Sequence, residues 1–453
     1  MSAFIVDDVV PCEGGVEVLS RTFAQGFSGI GSKPSFISRS EPFLTRSSTP
    51  TAYGEAKQRQ QERFAKLFEG EKGLVELCYE FLHEEIIITE IKSALGKGYQ
   101  WVEERGLWVE RPGKVFRERI PAVLSDYISA AEKDCRRLPL FDEKELKKML
   151  AFTRKISTRA SIWSSLMIKL HDEHFERKLD AQVHLLPFNN GTVMDLKTGK
   201  LRKMVKTDYF SKCFDARFGD SANPFVKQFF SSIMGDNEEK IRFLQKVLGY
   251  MVTGDISQKC MFFFVGNGDN GKSVLCNLLQ ELSGEYISEV PDSVLLATKK
   301  ASAKNSARSD ILALKGLRSA IITELKNEDE LDPKEMKRIT GGDTINARPL
   351  FGHLQRFQCR AKIVVGTNFI PKFGHDPATE SRLRFIEFDQ KFTKDPDTSR
   401  GERPVIQDLL QLLVDQKDDV LAWIVEGAIG YYRDRKLTPP SVIKEFADAI
   451  IDS

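Results

Sequence analysis

The chain has 453 residues, of which 41% are hydrophobic and 29% are charged. This composition excludes a disordered, collagen-like or supercharged protein, and at about 150 residues per domain the length predicts roughly two to four domains. Lys and Arg number 67 and Asp and Glu number 65, so the net charge of +2 neither indicates nor excludes a polyanionic ligand.

The cysteines and the apolar runs indicate where the protein is found. The seven cysteines are widely spaced and form no Cys-x-x-Cys pair, which is typical of a reducing compartment and not of a disulfide framework or a zinc site. The most apolar run, Lys259 to Val265, is far shorter than the ~20 residues of a membrane span, and residues 1–15 carry acids where a signal peptide carries bases. We therefore expect a soluble intracellular protein without a membrane partner.

The first half of the chain shows a change from polar to helical patterns. Residues 28–51 contain ten Ser or Thr among 24 residues, which predicts a flexible tail or linker over 1–51. From Ala52 apolar residues recur at three- and four-residue steps, and Tyr99 to Glu110 has the pattern of a hairpin with its turn at 103–106. We expect a mostly helical domain over 52–218, and then two helices between Asn223 and Thr253.

The most specific motif follows Met261 to Val265, an apolar run with the pattern of a strand buried on both faces of a parallel sheet. Gly-Asn-Gly-Asp-Asn-Gly-Lys-Ser comes directly after it at 266–273, and a helical apolar pattern follows. Strand, Gly-x-x-x-x-Gly-Lys-Ser and helix together predict a phosphate-binding loop (P-loop) for a nucleoside triphosphate. The residues predicted to contact the nucleotide are Gly266, Asn267, Gly268, Asp269, Asn270, Gly271, Lys272, Ser273 and Val274.

The chemistry of such a loop assigns roles to two of these side chains. Backbone amides close around the phosphates at a helix N-terminus, where the helix dipole already favours an anion. Lys272 is predicted to contact the β- and γ-phosphates, and Ser273 is predicted to ligate Mg²⁺. The predicted cofactors are therefore ATP and Mg²⁺.

A second strand pattern, Leu317 to Thr323, is followed by an acid. Glu324 is predicted to hold Mg²⁺ through water and to act as the general base for the attacking water. The usual pair of acids is absent because Thr323 precedes Glu324, so Glu324 either fills both roles or shares them with Glu328.

Polar side chains also follow or precede two further strand patterns. Ala361 to Gly366 is followed by Thr367 and Asn368, whose amide can hydrogen-bond both the γ-phosphate and the attacking water. Arg382 and Arg384 lie at the start of the next strand pattern, a place that suits an arginine finger reaching the nucleotide of the neighbouring subunit. The pattern does not choose between the two arginines. The predicted catalytic residues are Lys272, Glu324, Asn368, Arg382 and Arg384.

These motifs in this order resemble a known family. Between the acid and Asn368 lies the string Met-Lys-Arg-Ile-Thr-Gly-Gly-Asp-Thr-Ile-Asn-Ala-Arg-Pro-Leu-Phe at 336–351. With GNGDNGKS, ITEL and VVGTN, it resembles the superfamily 3 helicases, in the branch of poxvirus-type and phage or plasmid primase-helicases. The resemblance covers about Asn223 to Phe388 and extends more weakly upstream to 185–196.

The resemblance implies a fold and an activity. The fold is α/β, with a P-loop AAA+-like parallel-sheet ATPase core over 219–400, the mostly helical domain before it and a helical segment over 401–453 after it. The activity is that of an ATP-driven replicative DNA helicase, a homo-hexameric ring that translocates on single-stranded or forked DNA and unwinds it. A fused or recruited primase and a polymerase are the further partners, and the location is the host cytoplasm or a viral replication site.

Two alternatives to this activity stay open. The first is another nucleic-acid motor with the same P-loop, namely an RNA helicase or a DNA-packaging ATPase. The second is a scaffold for origin recognition that binds ATP without useful hydrolysis. A binding-only protein has no need of the water-activating residues, which argues against the second alternative.

In the resembled superfamily a hairpin after the position of Asp343 points into the central channel and follows DNA. Here Thr344 to Phe351 and Arg356 to Lys362 have strand patterns, with the turn at 352–355. An ordinary solvated turn is the alternative, and Phe351 fits a core position equally well. The residues predicted to bind DNA are Lys337, Arg348, Phe351, His353 and Arg356.

Overall fold

The computed structural model describes residues 58–59, 62–63, 65–93, 95–135, 143–219, 223–297, 308–323, 325–350 and 354–452. Contacts divide the chain into the units Met1–Glu62 and Arg63–Ser453, and the description below concerns the second unit. Among the helices that the structure describes, none is both long and apolar enough to cross a membrane. The domain boundaries near 52, 219 and 400 stay predictions.

The N-terminal part of this unit is mostly helical, as predicted. Its helices are α1 (Gly70–Leu82), α2 (Gly113–Cys135), α3 (Glu143–Arg154), α4 (Ile156–Lys169) and α5 (Phe175–Lys178). Helices α1 to α4 pack around buried side chains that include Leu74, Phe116 and Trp163.

Two small antiparallel sheets accompany these helices. Their strands are β1 (Ile86–Glu90), β2 (Lys97–Val102) and β3 (Leu107–Pro112) in the first, and β4 (Leu185–Pro187), β5 (Thr192–Asp195) and β6 (Lys200–Lys203) in the second. The predicted hairpin is confirmed, because Val102 pairs with Leu107 and leaves 103–106 as the turn. Strand β1, which was not predicted, pairs with β2 on its other side.

The two predicted helices after Asn223 are confirmed as α6 (Pro224–Ile233) and α7 (Glu238–Met251). Each begins at an asparagine whose side-chain oxygen accepts hydrogen bonds from backbone amides of the first turn, Asn223 from Val226 and Asn237 from Glu239 and Lys240. Such N-caps satisfy amides that have no partner within the helix.

The centre of the unit is a sheet whose described strands are all parallel. In sequence it contains β7 (Met261–Val265), β8 (Ile287–Glu289), β9 (Ser319–Ile322), β12 (Lys362–Thr367) and β13 (Leu383–Glu387), arranged in space as β13-β7-β12-β9-β8. Side chains alternate between its two faces, so that Phe262 and Phe264 enter one hydrophobic core while Met261 and Phe263 enter another. The fold class is therefore α/β with a buried parallel sheet, as predicted.

Helices and short strands surround the sheet. They are α8 (Lys272–Leu282), α9 (Ser309–Leu312), α10 (Pro333–Thr340), β10 (Thr344–Ala347), β11 (Gln355–Gln358), α11 (Pro377–Glu380), β14 (Phe392–Thr393), β15 (Arg403–Pro404), α12 (Leu409–Val414), α13 (Lys417–Asp434) and α14 (Ser441–Ile451). Strands β10 and β11 form the antiparallel hairpin that the sequence predicts, but with shorter arms. The predicted bounds were wrong because Gln355 pairs with Ala347 inside the ladder, and Lys362 begins β12 beside Ser319.

Helices α7 and α13 approach each other closely through two glycines. A Cβ atom on Gly249 would lie 2.1 Å from the backbone nitrogen of Ala428, and one on Gly427 would lie 2.0 Å from the carbonyl oxygen of Gln245. Nearby, the ring of Trp423 stacks on that of Phe230 with centroids 3.7 Å apart. Helix α13 therefore shares a core with the helices that lead into the sheet.

Buried cations close the carboxyl end of α7. Arg318 donates to the carbonyl oxygen of Val252 at 2.9 Å, and Lys362 donates to that of Thr253. The negative end of the helix dipole favours cations at this position. Burial lowers the pKa of Lys362 well below its usual value. These contacts fix α7 against the amino ends of β9 and β12.

Candidate nucleotide-binding site

Lys272 is the centre of the candidate site. It is the first residue of α8, which begins within the 266–273 motif at the carboxyl edge of the sheet. Its ammonium donates to the Gly266 carbonyl oxygen at 2.7 Å, to Asn270 Oδ1 at 2.9 Å and to Asn368 Oδ1 at 3.1 Å. The structure thus brings together Lys272 and Asn368, two residues that the sequence predicts for this site from motifs on different strands.

The environment of Lys272 favours an anion beside it. The side chain is 6% exposed, and burial lowers the pKa of its ammonium. The three acceptors are neutral oxygens, so they satisfy hydrogen bonds without neutralising the charge. A buried ammonium with neutral partners is stabilised by a negatively charged group such as a phosphate.

The backbone of the loop has a shape that requires glycine. Gly268 and Gly271 have φ angles of 98° and 86°, and Asp269 lies in the left-handed region at 48°. A Cβ atom on Gly271 would lie 2.6 Å from Ile233 Cγ2, and one on Gly266 would lie 2.5 Å from the carbonyl oxygen of Phe388. Side chains at these two positions would clash with these neighbours, so only glycine allows the loop to follow this course.

The segment after β13 holds the loop from outside. Asn270 is buried, and its Nδ2 donates to the carbonyl oxygen of Phe388 at 3.2 Å. The backbone amide of Phe392 donates to the carbonyl oxygen of Asp269 at 2.8 Å. The loop is therefore anchored on two sides, by Lys272 from within and by residues 388–392 from without.

A cavity of about 720 Å³ opens beside the loop. Gly268 to Val274 form one wall together with Thr323, Asn368 and their neighbours, and Ser273 is exposed to the cavity. Asn267 is exposed at the outside of the loop and does not line it. This wall offers polar groups for phosphates.

Part of the cavity lining is apolar, and no sequence motif indicates it. Its side chains come from α6 and from the segment after β14, and they include Phe225, Phe229, Val405, Ile406 and Leu409. Val405 and Ile406 are 45% and 47% exposed, which is high for aliphatic side chains that line a cavity. A cavity with one polar and one apolar wall fits a ligand that has a phosphate end and a flat ring end. The available signal was the apolar pair Val405-Ile406 in an otherwise polar segment.

The predicted acid lies outside the described residues. Glu324 follows Thr323 and precedes Leu325, and both of these neighbours line the cavity. Glu328 is exposed and does not line it. Among the residues that the structure describes, no group of three or more His, Cys, Asp or Glu is arranged to hold a metal ion. The proposed Mg²⁺ ligands Ser273 and Glu324 therefore stay a prediction.

A carboxylate that no sequence motif indicates lies at the carboxyl edge of the sheet. Glu289 ends β8, and its Oε1 accepts a hydrogen bond of 2.5 Å from Thr323 Oγ1. The two residues are 34 positions apart in sequence, so no local motif joins them.

Arg382 and Arg384 lie at the other end of the sheet. Leu383 pairs with Met261, the first residue of β7, whereas the P-loop follows Val265, the last residue. At ~3.3 Å per residue the two ends are about 13 Å apart. Arg382 donates to Thr340 Oγ1 at 3.2 Å, and Arg384 donates to the carbonyl oxygen of Ser381 at 2.9 Å. Neither arginine reaches the phosphate loop of its own chain, and action on a neighbouring subunit stays a prediction.

The predicted DNA-binding residues divide into three groups. Phe351 and His353 lie outside the described residues. Arg348 and Arg356 are exposed on or beside the hairpin β10–β11, and Arg356 pairs with Asn346 across it. Lys337, in α10, forms an ion pair of 3.0 Å with Asp376. The structure therefore places two of the predicted cations where a nucleic acid has access, and one in a contact within the chain.

The pair of Lys337 and Asp376 also joins two helices. Asp376 accepts hydrogen bonds from Thr379 and Lys337, which lower the pKa of its carboxyl group to about 2. The same carboxylate caps α11 by accepting from the amides of Ala378 and Thr379. The ion pair with Asp376 therefore explains the position of the Lys337 side chain without a bound ligand.

Comparison with known proteins adds independent information. Residues 78–235 match the family described as D5 N terminal like. A candidate helicase of Acanthamoeba polyphaga mimivirus is 30% identical over 236 residues, which cover 51% of this chain and 24% of the mimivirus protein. A candidate helicase of Invertebrate iridescent virus 3 is 26% identical over 304 residues, which cover 64% of this chain and 32% of that protein.

A candidate primase of African swine fever virus is 25% identical over 241 residues, which cover 50% of this chain and 24% of that protein. In these three relatives, the matched part is therefore about a quarter to a third of the full length.

Proposed function

We propose that the chain serves DNA replication as an ATP-driven helicase of the primase-helicase kind found in large DNA viruses. The matched relatives are named for helicase or primase roles, which supports a replication protein of this general kind. The proposal goes further. It states that the chain itself hydrolyses ATP, moves along DNA and separates its strands.

The observation that carries the proposal is the contact of Lys272 with Asn368. A buried ammonium and a side-chain amide 3.1 Å apart, beside a loop shaped for phosphate, form an arrangement suited to nucleoside triphosphate. When phosphate replaces the neutral partners of Lys272, the ammonium gains an opposite charge, and the Asn368 amide is released for the γ-phosphate or the attacking water. The apolar part of the cavity lining suits the base.

Two further roles complete the proposed site. Ser273 and Glu324 are the residues that we propose to hold Mg²⁺, which neutralises phosphate charge when bound. The glycine-containing loop and the exposed Ser273 hydroxyl fit that role. Glu324 is the proposed general base.

We propose a ring of six subunits, as in the superfamily that the chain resembles, and the distance of Arg382 and Arg384 from their own loop supports action between subunits. An arginine at the opposite end of the sheet acts on a nucleotide only if a second subunit presents its loop there. The exposed arginines of the β10–β11 hairpin are the proposed contacts to DNA. A primase and a polymerase are the proposed partners.

Lys272→Ala tests the proposal. We expect ATP turnover to fall by at least about a hundredfold, because the only side-chain cation of the loop is lost. Lys444→Ala, an exposed lysine on α14, is the control and keeps wild-type turnover. Turnover of Lys272→Ala within about tenfold of wild type, a barrier change below ~1.4 kcal/mol, contradicts the proposal.

Unwinding requires its own measurement. Strand displacement on forked DNA and on forked RNA, each with and without ATP, distinguishes a DNA helicase from an RNA helicase. Displacement of DNA that depends on ATP and on Lys272 is the expected result. ATP hydrolysis without strand displacement on either fork would instead favour the DNA-packaging ATPase.

A further inference from the structure

A second cavity, of about 1280 Å³, lies at the amino edge of the central sheet. Its lining includes residues 284–286, which directly precede β8, and residues 315–318, which directly precede β9. The P-loop follows Val265, the last residue of β7, and so lies at the opposite, carboxyl edge. The second cavity is therefore separate from the candidate nucleotide-binding site.

Two other parts of the unit complete the lining of this cavity. The N-terminal part contributes Arg105, from the turn between β2 and β3, and Arg177, from α5. The hairpin β10–β11, whose arginines are the proposed contacts to DNA, contributes Thr344 and Arg356. The cavity is thus a groove that joins the hairpin to the N-terminal part along the amino ends of β8 and β9, and we call it the amino-edge groove.

Most acids of the amino-edge groove have partners that reduce their repulsion of an anion. The carboxylate of Asp180 accepts hydrogen bonds from Ser211 and Tyr286, and that of Glu173 lies 3.3 Å from His174. The other four lining acids form ion pairs with lysines, which are Glu110 with Lys97 at 3.8 Å, Glu176 with Lys315 at 3.8 Å, Asp215 with Lys417 at 2.8 Å and Glu285 with Lys212 at 3.7 Å. The lysines around the groove are therefore largely occupied by its acids.

The arginines of the groove remain available for a ligand. Five of them line it, and within the described part of the chain none forms an ion pair with a carboxylate; they are Arg105, Arg177, Arg318, Arg356 and Arg360. Arg105, Arg177 and Arg356 are exposed. Arg360 is half-buried and donates to the carbonyl oxygen of Asp180 at 2.7 Å, which is a neutral acceptor. The groove therefore carries positive charge that no acid of the described chain neutralises.

We infer that the amino-edge groove binds the phosphate backbone of single-stranded DNA where the strand passes the hairpin β10–β11. This inference rests on the proposed function, because it extends the proposed DNA contacts from the hairpin to the N-terminal part. A guanidinium without a carboxylate partner binds phosphate oxygens through two parallel hydrogen bonds. Each such contact releases counterions from the DNA.

The aromatic side chains of the groove indicate how the DNA is recognised. Tyr99, Trp108 and Phe357 line the groove, but all three are buried, so their ring faces are not available for stacking with bases. Recognition of bases in single strands depends chiefly on such stacking. We therefore expect binding that depends strongly on salt and weakly on base sequence.

The test measures the affinity of the full chain for a fluorescein-labelled deoxythymidine oligonucleotide by fluorescence anisotropy, without ATP. In the double variant Arg105→Gln with Arg177→Gln, we expect the affinity at one salt concentration to fall by about tenfold. The slope of the logarithm of affinity against the logarithm of salt concentration becomes shallower by about 1.4, because each phosphate contact to a single strand contributes ~0.7. Wild-type affinity and slope in this variant overturn the inference.

Two control variants separate a phosphate contact from a general loss of charge. Arg154→Gln with Arg242→Gln removes the same charge from exposed sites outside the groove, and we expect affinity within about twofold of wild type because salt screens distant charges. Arg105→Lys with Arg177→Lys keeps both charges, so we expect the wild-type salt slope. Equal losses in the control outside the groove, or a slope in the lysine variant as shallow as in the glutamine variant, contradict the inference.

Two additional measurements cover a misfolded variant and a different partner. If Arg105→Gln with Arg177→Gln does not fold, the two single variants decide, and each should make the salt slope shallower by about 0.7. Labelled polyglutamate should bind wild-type protein at least about tenfold more weakly than the oligonucleotide. Polyglutamate affinity that equals the DNA affinity and falls equally in the double variant would assign the groove to an acidic protein segment and overturn the inference.

The inference and the proposed function fail in different ways. Wild-type protein that does not bind the oligonucleotide at any salt concentration removes the proposed action on DNA, and the inference with it. DNA binding that depends on Arg348 and Arg356 but not on Arg105 and Arg177 removes the inference alone.

Discussion

Arg318 Nη2 lies 2.9 Å from the carbonyl oxygen of Leu185, so a guanidinium at the start of β9 holds a strand of a different sheet. Leu185 lies inside the segment that matches the D5 N terminal like family, and Arg318 lies outside it. The same guanidinium donates to Val252 and lies 4.1 Å from the centroid of the Tyr286 ring. The family segment and the central sheet are therefore joined through one buried side chain.

Arg318→Met is expected to lower the free energy of unfolding by about 2–6 kcal/mol, because two buried carbonyl oxygens lose their donor at roughly 1–3 kcal/mol each. The measurement is denaturant unfolding. Arg433→Met, at an exposed site, is the control, and we expect it to change the free energy of unfolding by less than about 0.5 kcal/mol. Equal effects of the two substitutions contradict the role given to Arg318.

Gly271→Ala is expected to destroy nucleotide binding. The residue has a φ of 86°, and the new methyl group would lie 2.6 Å from Ile233 Cγ2, so the loop must move. We expect affinity for ATP, measured by titration calorimetry, to fall by at least about tenfold, or 1.4 kcal/mol. Gly401→Ala has a similar φ of 72° with open space around it. It costs about 1–2 kcal/mol of stability and leaves affinity unchanged.

The hairpin arginines are expected to couple DNA to hydrolysis. In the double variant Arg348→Ala with Arg356→Ala, basal turnover stays within about twofold, whereas stimulation by single-stranded DNA is lost. The slope of the logarithm of DNA affinity against the logarithm of salt concentration becomes shallower by about one to two, because the protein contacts fewer phosphates. Arg400→Ala, at an exposed site remote from the hairpin in sequence, retains both properties. Full stimulation in the double variant would move DNA binding to another surface.

Arg382 is expected to act between subunits. Arg382→Ala alone is inactive, and so is Lys272→Ala alone. A mixture of the two regains turnover, since some interfaces then combine an intact loop with an intact arginine. The same mixture made with Arg384→Ala shows which arginine is used. If mixed rings form but neither the Arg382→Ala mixture nor the Arg384→Ala mixture regains turnover, the two arginines have structural roles.

The buried thiol of Cys78 gives a prediction about alkaline pH. Burial raises its pKa to about 12, from a usual value near 9. Above about pH 9 the unfolded chain releases this proton while the folded chain keeps it, so stability falls as pH rises. The stability advantage of wild type over Cys78→Ala should therefore shrink by about 1.4 kcal/mol per pH unit between pH 9.5 and 11. Denaturant unfolding under a reductant measures this, and a constant difference contradicts it.

The sequence predicted the central strands well because they are buried on both faces. Met261 to Val265 is apolar at every position, a pattern that is typical of a strand buried on both faces of a parallel sheet. It predicted the hairpin at 103–106 for a similar reason, since turn residues separate two clear runs. Strand β8 gave no such signal, because only Ile287 among its three residues is buried.

The site was predictable only in part, because motifs report what is near in sequence. The P-loop and Asn368 each follow a buried strand, so their meeting at one edge follows from parallel pairing. Glu289 meets Thr323 across 34 positions, and Val405 faces a loop more than a hundred residues away. Those contacts depend on the three-dimensional course of the chain and leave no local pattern.

The closeness of Gly249 and Gly427 has a consequence for the design of shorter versions of the protein. Because these helices touch backbone to backbone, no side chain is available to fill the space if α13 is removed. A version that ends near residue 400 would expose the stacked face of Phe230 and a groove along α7 to water. We therefore expect residues 417–434 to be required for stable folding of the unit that contains the central sheet, and truncation should begin beyond them.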